Sequence, residues 1–182
     1  MNSINTMINE HKNIKQMIKV IRNLSLRILD NKYFEVDDFY RIIDFIRSYA
    51  DKYHHGKEED ILFKYMVEEG GEVANKMITY GMLLDHDLGR MYVKGLEDGV
   101  NSFRLGNLNA RLDIIANAIS YSNLLESHIE KEDNVAYTYG QRILSNETMD
   151  KIEKESRQFN NKHSDVEEKY IKLIEELEKK YK

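Results

Sequence analysis

HHGKEEDILF at residues 54–63 and HIEKEDNVAY at residues 128–137 share one pattern. In both stretches a histidine is followed four residues later by a glutamate, then by polar residues and then by apolar ones. A spacing of i, i+4 places two side chains on the same face of an α-helix. The repeated pattern therefore predicts two similar helices, each presenting a histidine beside a carboxylate, and it indicates a site with pseudo-twofold symmetry.

The chain contains more such pairs than chance provides. With 19 glutamates among 182 residues, six histidines would give fewer than one His-x-x-x-Glu pair, and there are four. One of them, His163–Glu167, lies in a highly charged segment, where a solvated ion pair is the simpler interpretation. We therefore expect a structural role for His163.

A second pair, His55–Glu59, overlaps the first one shifted by a single residue. We favour His54 and Glu58 as the functional pair because they match the flanks of His128 and continue the apolar stripe of their helix. That stripe contains Ile43, Ala50, Ile61 and Tyr65. The alternative with His55 and Glu59 stays open at this point.

The composition indicates a helical protein without nucleic-acid or membrane partners. The chain has no proline and only nine glycines, which favours long helices. Its net charge of −5 argues against a polyanionic partner. The lack of cysteine excludes disulfides and thiolate-ligated metals. No run of about 18 apolar residues and no basic start followed by an apolar stretch is present, so we expect a cytoplasmic protein.

Apolar periodicity predicts an all-α fold, an up-down-up-down four-helix bundle over residues 1–145. We expect helix A over residues 4–29 with Ser3 as its N-cap, helix B from Asp37 or Asp38 to Gly70-Gly71, helix C over about residues 72–103 with a break near Gly81, and helix D after Gly106-Asn107. Residues 146–182 are predicted to form one additional amphipathic C-terminal helix, which begins near Ser145-Asn146 and packs on the same domain.

Four of the histidines fall on or beside the apolar stripes of the four bundle helices, one on each. Neighbouring histidines are equally far from the turn that joins their helices, to within one residue, so they are expected at similar heights. Buried imidazoles and carboxylates are costly unless a metal compensates them. Mixed nitrogen and oxygen ligands suit iron or manganese, and the ligand count implies two cations. The candidate ligands are His11, His54, Glu58, His86, His128 and Glu132.

Together these segments resemble the hemerythrin family, in particular its HHE cation-binding branch, over roughly residues 4–145. The resemblance is carried by EHK at residues 10–12, YHHGKEE at 53–59, DHDLGR at 85–90 and HIEKE at 128–132. It implies a non-haem centre of two iron ions, of the Fe–O–Fe type, inside a four-helix bundle. The two carboxylates would bridge the irons, and the small-molecule ligand would be dioxygen, peroxide or nitric oxide.

The chain departs from the oxygen-carrying hemerythrins at one position on helix C. Those proteins have a second histidine four residues after the first, and here that residue is Arg90, which cannot ligate a metal. One ligand fewer leaves a second coordination position open and favours reactive chemistry over reversible oxygen carriage. Hemerythrins proper also use a His-x-x-x-x-Asp spacing on helix D, which makes Asp133 a rival of Glu132. We favour Glu132 because it preserves the internal symmetry.

The resulting hypothesis is a di-iron protein that handles or senses oxidative or nitrosative stress. Two alternatives stay open: iron storage or delivery at the same site, and a metal-free helical interaction module in which buried His–Glu pairs fix helix register. Tyr53, Tyr121 and Tyr137 lie where a hydroxyl group could reach the site, and we expect them to be core and rim residues. The sequence makes no prediction of oligomeric state.

Overall fold

The computed structural model describes residues 2–182, which form a helical bundle that contains no β-strand. The α-helices are α1 (Ser3–Leu29), α2 (Val36–Phe45), α3 (Phe63–Met77), α4 (Leu83–Arg104), α5 (Arg111–Lys131), α6 (Tyr137–Ile143), α7 (Asn146–Lys162) and α8 (Val166–Lys180). π-Helical segments at Ile46–His55, Glu58–Leu62, Ile78–Met82 and Glu132–Ala136, and a 3₁₀ turn at Leu108–Ala110, connect some of them. No helix among the described residues combines the length and the apolar character needed to cross a bilayer.

These segments combine into the four bundle helices that the sequence predicts. Helix A is α1. Helix B runs from α2 through the first half of α3, helix C runs from the second half of α3 through α4, and helix D joins α5 to α6. π-Helical turns are frequent at functional sites. Here the π-helical segments Ile46–His55 and Glu58–Leu62 of helix B contain His54 and Glu58. The π-helical segment Glu132–Ala136 of helix D begins at Glu132.

Glycine makes the two turns that the sequence places between helices B and C and between helices C and D. Gly71 has φ 59° and ψ −143°, which ends helix B inside the span of α3. Gly106 has φ 95° between α4 and the 3₁₀ turn. Side chains rarely adopt these backbone angles, so glycine is required at both turns. The predicted break near Gly81 is wrong, because the chain there is a continuous π-helical segment.

The first helix begins differently from the prediction. The side chain of Asn2 accepts a hydrogen bond from the Asn5 backbone N–H at 2.8 Å and caps α1. Ser3, which we predicted as the cap, is the first residue of the helix, and its own N–H donates to Glu153 of α7. The cap therefore lies one residue earlier, and Ser3 links the helix start to the C-terminal segment.

The apolar core is divided into two clusters, and the histidines lie where the clusters meet. On helix A, Met7 belongs to one cluster and Ile14 to the other, with His11 between them. On helix C, Met82 and Val93 flank His86 in the same way. The layer of histidines and carboxylates is therefore enclosed along the bundle by apolar packing, which keeps bulk water away from it.

The prediction of a single C-terminal helix is wrong. Residues 163–165 interrupt it, and α7 and α8 pack on different parts of the core. Ile152 of α7 belongs to the smaller cluster, whereas Tyr170 and Leu177 of α8 belong to the larger one. Ser145 caps α7 by accepting a hydrogen bond from the Thr148 N–H at 3.2 Å, as predicted. The interruption lets the two apolar faces take different directions.

Candidate metal centre

The four bundle helices bring their histidines into two facing pairs at mid-height. His11 Nε2 lies 2.8 Å from His54 Nε2, and His86 Nε2 lies 2.9 Å from His128 Nε2. All four side chains are buried. The convergence expected from their positions relative to the turns is confirmed.

Two glutamates lie between the histidine pairs. Glu132 Oε2 is 3.3 Å from His11 Nε2, and its Oε1 is 3.1 Å from His128 Nε2. Glu58 Oε2 is 3.7 Å from His54 Nε2 and 3.7 Å from His86 Nε2. Both carboxylates are completely buried, and each contacts histidines of both pairs. The six predicted side chains therefore surround one space, called the central site below.

Each histidine is held from behind by a carboxylate that accepts a hydrogen bond from its Nδ1–H. These outer carboxylates are Asp133 on His11 (2.8 Å), Glu10 on His54 (2.8 Å), Glu59 on His86 (2.6 Å) and Asp85 on His128 (3.2 Å). Such a bond orients the ring and keeps the proton on Nδ1, so Nε2 faces the central site and can ligate a metal once it is unprotonated.

A cation neutralises each outer carboxylate in turn. The pairs are Lys15 with Asp133, Lys57 with Glu10, Arg90 with Glu59 and Lys131 with Asp85. Arg90 therefore does not contact the central site directly; it contacts Glu59, which in turn contacts His86. Each negative charge that orients an imidazole is therefore balanced by a positive charge beside it.

The two carboxylates that the sequence left open as alternatives to Glu58 and Glu132 lie outside the central site. Glu59 and Asp133 each follow a central glutamate, but they are partly exposed and bind the Nδ1 of His86 and His11. His55 also lies outside: its ring stacks on that of His86, with centroids 3.8 Å apart and an angle of 7° between planes. The geometry therefore places His54, Glu58 and Glu132 at the centre.

Sequence reasoning missed Glu10 and Asp85 entirely. Both directly precede a histidine, on helices A and C, and each binds the histidine of a neighbouring helix. A signal was present, since an acidic residue occupies the position before the histidine on both helices. Glu10 of helix A binds the histidine of helix B, just as Asp85 of helix C binds the histidine of helix D. Glu59 of helix B likewise binds the histidine of helix C, just as Asp133 of helix D binds the histidine of helix A. This is the pseudo-twofold symmetry expected from the repeated pattern.

Tyr137 breaks that symmetry. Its hydroxyl donates a short hydrogen bond to Glu58 Oε1 and lies 3.5 Å from His11 Nε2, while its ring is parallel to that of His11. Phe63 holds the equivalent position next to His86. We expected Tyr137 to be a core or rim residue, and it is a core residue whose hydroxyl also reaches the central site.

Replacing Tyr137 with phenylalanine is expected to lower the free energy of unfolding of the metal-free protein by about 1–3 kcal/mol, because the buried Glu58 oxygen loses its donor. Urea denaturation followed by circular dichroism measures the loss. Tyr80→Phe is the control, since that side chain is largely exposed. Equal stability of the Tyr137→Phe variant and the wild type would show that the hydroxyl contributes no net stabilisation.

The charges of the central site make its histidines unequal. Burial lowers the pKa of His11, but the hydrogen bond to Asp133 and the Glu132 carboxylate outweigh burial and raise it to about 9. Burial also lowers the pKa of His128, but the charge of Glu132 and the hydrogen bond to Asp85 together outweigh burial and raise it to about 10. Burial and the charge of His11 hold the pKa of His54 well below its usual range. A protonated His11 donating to a neutral His54 accounts for the 2.8 Å separation.

The two glutamates also differ. Burial and the neighbouring charge of Glu132 raise the pKa of Glu58 well above its ordinary value. The pKa of Glu132 is held well below its usual range despite burial, because the charge of His128 and the approach of His11 favour the carboxylate. Without a metal, Glu58 therefore holds a proton more readily than Glu132 does.

The donor set of the central site fits metal ions. Three buried carboxylate oxygens, Glu58 Oε2 and both oxygens of Glu132, have no hydrogen-bond partner among residues 2–182. Buried polar atoms are normally satisfied, and an unpaired carboxylate is among the most costly. Four imidazole nitrogens with two carboxylates suit a pair of divalent first-row cations. Of the six residues, His11, His54, Glu58 and Glu132 offer ligand atoms within 4.8 Å of one another, and His86 and His128 do so in a second group that also contains His55.

A cavity of about 210 Å³ reaches the central site from one side. Its walls include the apolar Val93, Tyr121 and Leu125 together with His86 and Arg90. The cavity is large enough for several water-sized molecules. Small ligands could therefore approach His86 without any rearrangement of the bundle.

Comparison with known proteins gives one match. The family model described as the hemerythrin HHE cation binding domain matches residues 2–139, which is most of the chain and includes all six residues of the central site. No curated protein and no solved structure matches.

Proposed function

The chain belongs to the hemerythrin HHE cation-binding family, and we propose that it is a non-haem di-iron protein that binds or reacts with dioxygen, peroxide or nitric oxide. The observation that carries the proposal is the convergence of four Nε2 atoms on two buried carboxylates, three of whose four oxygens lack hydrogen-bond partners. In this interpretation the protein handles or senses oxidative or nitrosative stress.

We assign His11 and His54 to one iron and His86 and His128 to the other, with Glu58 and Glu132 between the two. The irons, when bound, supply the redox chemistry that small oxygen and nitrogen ligands require. Four imidazoles and four carboxylate oxygens fill eight of about twelve coordination positions. The remaining positions favour reaction with a small molecule over passive storage.

The protein's own residues would orient the ligands and control access. The outer carboxylates keep each imidazole in one tautomer and one orientation. Burial and the charge of Glu58 raise the pKa of Tyr137 well above its ordinary value, so its hydroxyl keeps its proton and acts as a fixed donor inside the site. The cavity of about 210 Å³, lined by both apolar and charged side chains, limits this approach to small molecules.

The test begins with protein purified without oxygen. Elemental analysis is expected to give two irons per chain, and admitting air is expected to produce a new near-ultraviolet or visible absorption band. The iron-loaded protein should consume hydrogen peroxide faster than the His86→Ala variant. Stably bound iron that leaves peroxide turnover equal in the two proteins would favour storage or delivery. No iron, and no spectral change when iron is offered, would instead favour the metal-free interaction module.

Iron uptake is expected to release at least two protons per chain at pH 7. His11 and His128, with pKa values of about 9 and about 10, are protonated at that pH and must lose a proton before Nε2 can ligate. Protons therefore compete with the metal at any pH below about 9, and affinity should fall as the pH is lowered. A pH indicator in weakly buffered, oxygen-free solution measures the release.

His163→Gln is the matched control for this measurement. His163 ends α7, where its Nδ1 contacts the Phe159 carbonyl oxygen at 2.9 Å, away from the central site. This variant should release as many protons as the wild type. Iron uptake without proton release would mean that His11 and His128 are not ligands.

A further inference from the structure

His55 is a buried histidine without a role in the central site. Its side chain is only 7% exposed, and its Nδ1 is buried without a hydrogen-bond partner, 3.5 Å from Asp51 Oδ1. Its ring stacks on that of His86, and it also offers a ligand atom within 4.8 Å of ligand atoms of His86 and His128. Its buried Nδ1 lies on the side of Asp51.

The pseudo-twofold symmetry shows that packing does not require a polar residue at this place. Asp51 and His55 correspond on helix D to Leu125 and Ile129, both buried apolar residues. Helix D thus carries hydrocarbon at the two positions where helix B carries a carboxylate and an imidazole. A buried polar group of this kind is costly unless it has a partner.

Glu59 completes a cluster with these two side chains. Asp51, His55 and Glu59 each offer one ligand atom, and the three atoms lie within 4.8 Å of one another. Two carboxylate oxygens and one imidazole nitrogen make a donor set that suits a divalent first-row cation. The buried, unpartnered nitrogen of His55 distinguishes this cluster from an ordinary group of surface acids.

A cationic side chain already occupies the position between the carboxylates. Arg90 Nη2 donates to Asp51 Oδ1 at 2.7 Å and to Glu59 Oε1 at 2.8 Å. The Arg90 side chain is 41% exposed, so its guanidinium group can move into solvent without disturbing the core. Ion pairs as exposed as these stabilise a fold by only about 0–1 kcal/mol. An incoming divalent cation could therefore displace it.

The cluster lies beside the central site. Asp51, His55, His86 and Arg90 all line the same cavity. Glu59 Oε1 is also 2.6 Å from His86 Nδ1, so one carboxylate belongs both to the cluster and to the support of a central histidine. An ion bound by the cluster would share the Glu59 carboxylate with His86, which belongs to the His86–His128 pair.

We propose that Asp51, His55 and Glu59 form an outer cation site that takes up Fe(II) before its transfer to the central site, and that Arg90 closes this outer site when no cation is bound. The uptake route rests on the proposed function, because it requires the central site to be the destination. Binding of a divalent cation by the outer site itself does not.

The first test measures the rate of Fe(II) uptake without oxygen, by quenching samples with a strong chelator. Asp51→Asn is expected to load about tenfold more slowly than the wild type, because it loses one of the two carboxylates that attract the cation at the outer site. Its final content should still be two irons per chain. Glu126→Gln is the control, since Glu126 is likewise a carboxylate paired with an arginine, Arg22, and does not line the cavity. Asp51→Asn loading at the wild-type rate would overturn the uptake route.

The second test is independent of the central site's chemistry. Iron-loaded Arg90→Ala protein is titrated with Mn²⁺, and free Mn²⁺ is measured by electron paramagnetic resonance. We expect one additional Mn²⁺ per chain, which is lost in the Asp51→Asn/Arg90→Ala double variant. No additional Mn²⁺ would overturn the outer site. If wild-type protein takes up two irons while both variants behave as wild type, the proposed function stands and this inference fails.

Discussion

Glu132→Gln is expected to reduce the bound iron from two per chain to one or none. Both oxygens of Glu132 are buried without hydrogen-bond partners, and they approach histidines of both pairs. The amide keeps the volume of the side chain, but it removes the negative charge and turns an NH₂ group toward the imidazoles. Outer residues of metal sites already change affinity by about 10–100-fold, and loss of a bridging ligand should exceed that range.

Chelator competition and elemental analysis measure this loss directly. Glu130→Gln is the matched control, because Glu130 lies two residues earlier on the same helix and is exposed. The control should bind iron as the wild type does. A Glu132→Gln variant that retains two tightly bound irons would contradict the assignment of Glu132 as a bridging ligand. That result would favour Asp133 as the ligand instead.

Leu177→Ala is expected to cost about 2–5 kcal/mol of unfolding free energy, as large-to-small changes in a packed core do. Leu177 is completely buried on α8, in the same apolar cluster as residues of the four-helix bundle. Urea denaturation should show one cooperative transition at a lower midpoint. This result would support the proposal that residues 146–182 fold together with the bundle as one unit.

Leu112→Ala on α5 is the control, because Leu112 is 72% exposed and its truncation should change stability by less than about 0.5 kcal/mol. A separate early transition, or a loss of stability no greater than in the control, would show that α8 is only loosely attached. Iron binding should survive Leu177→Ala at low denaturant, since α8 contributes no residue to the central site.

The sequence was sufficient for the four bundle helices and for bringing their histidines together, although it did not show that the C-terminal segment forms two helices. Apolar spacing fixes which stripe of a helix is buried, and glycine at residues 71 and 106 fixes where the chain turns. With antiparallel helices joined by short turns, residue counts from each turn fix the height. His11, His54, His86 and His128 therefore had to come close together wherever the exact helix boundaries fell.

Only the tertiary structure decided which of two adjacent side chains faces the centre. His54 and His55 differ by about 100° around a helix, and both border the buried stripe. π-Helical segments at Ile46–His55 and Glu58–Leu62 change the local number of residues per turn, and no periodicity in the sequence shows this. Glu132 and Asp133 are the first two residues of the π-helical segment Glu132–Ala136, so the sequence could not show which of these two side chains faces the centre either.

Contacts between distant residues were likewise invisible in the sequence. Glu10 supports His54 from another helix, and Tyr137 donates to Glu58 across 79 positions. The interruption at residues 163–165 depends on how α7 and α8 fit two separate apolar clusters. Local patterns determined the helices and the heights of their ligands, because both follow from spacing along the chain. Packing between helices decided the orientations, because each orientation depends on partners that the chain brings together only when it folds.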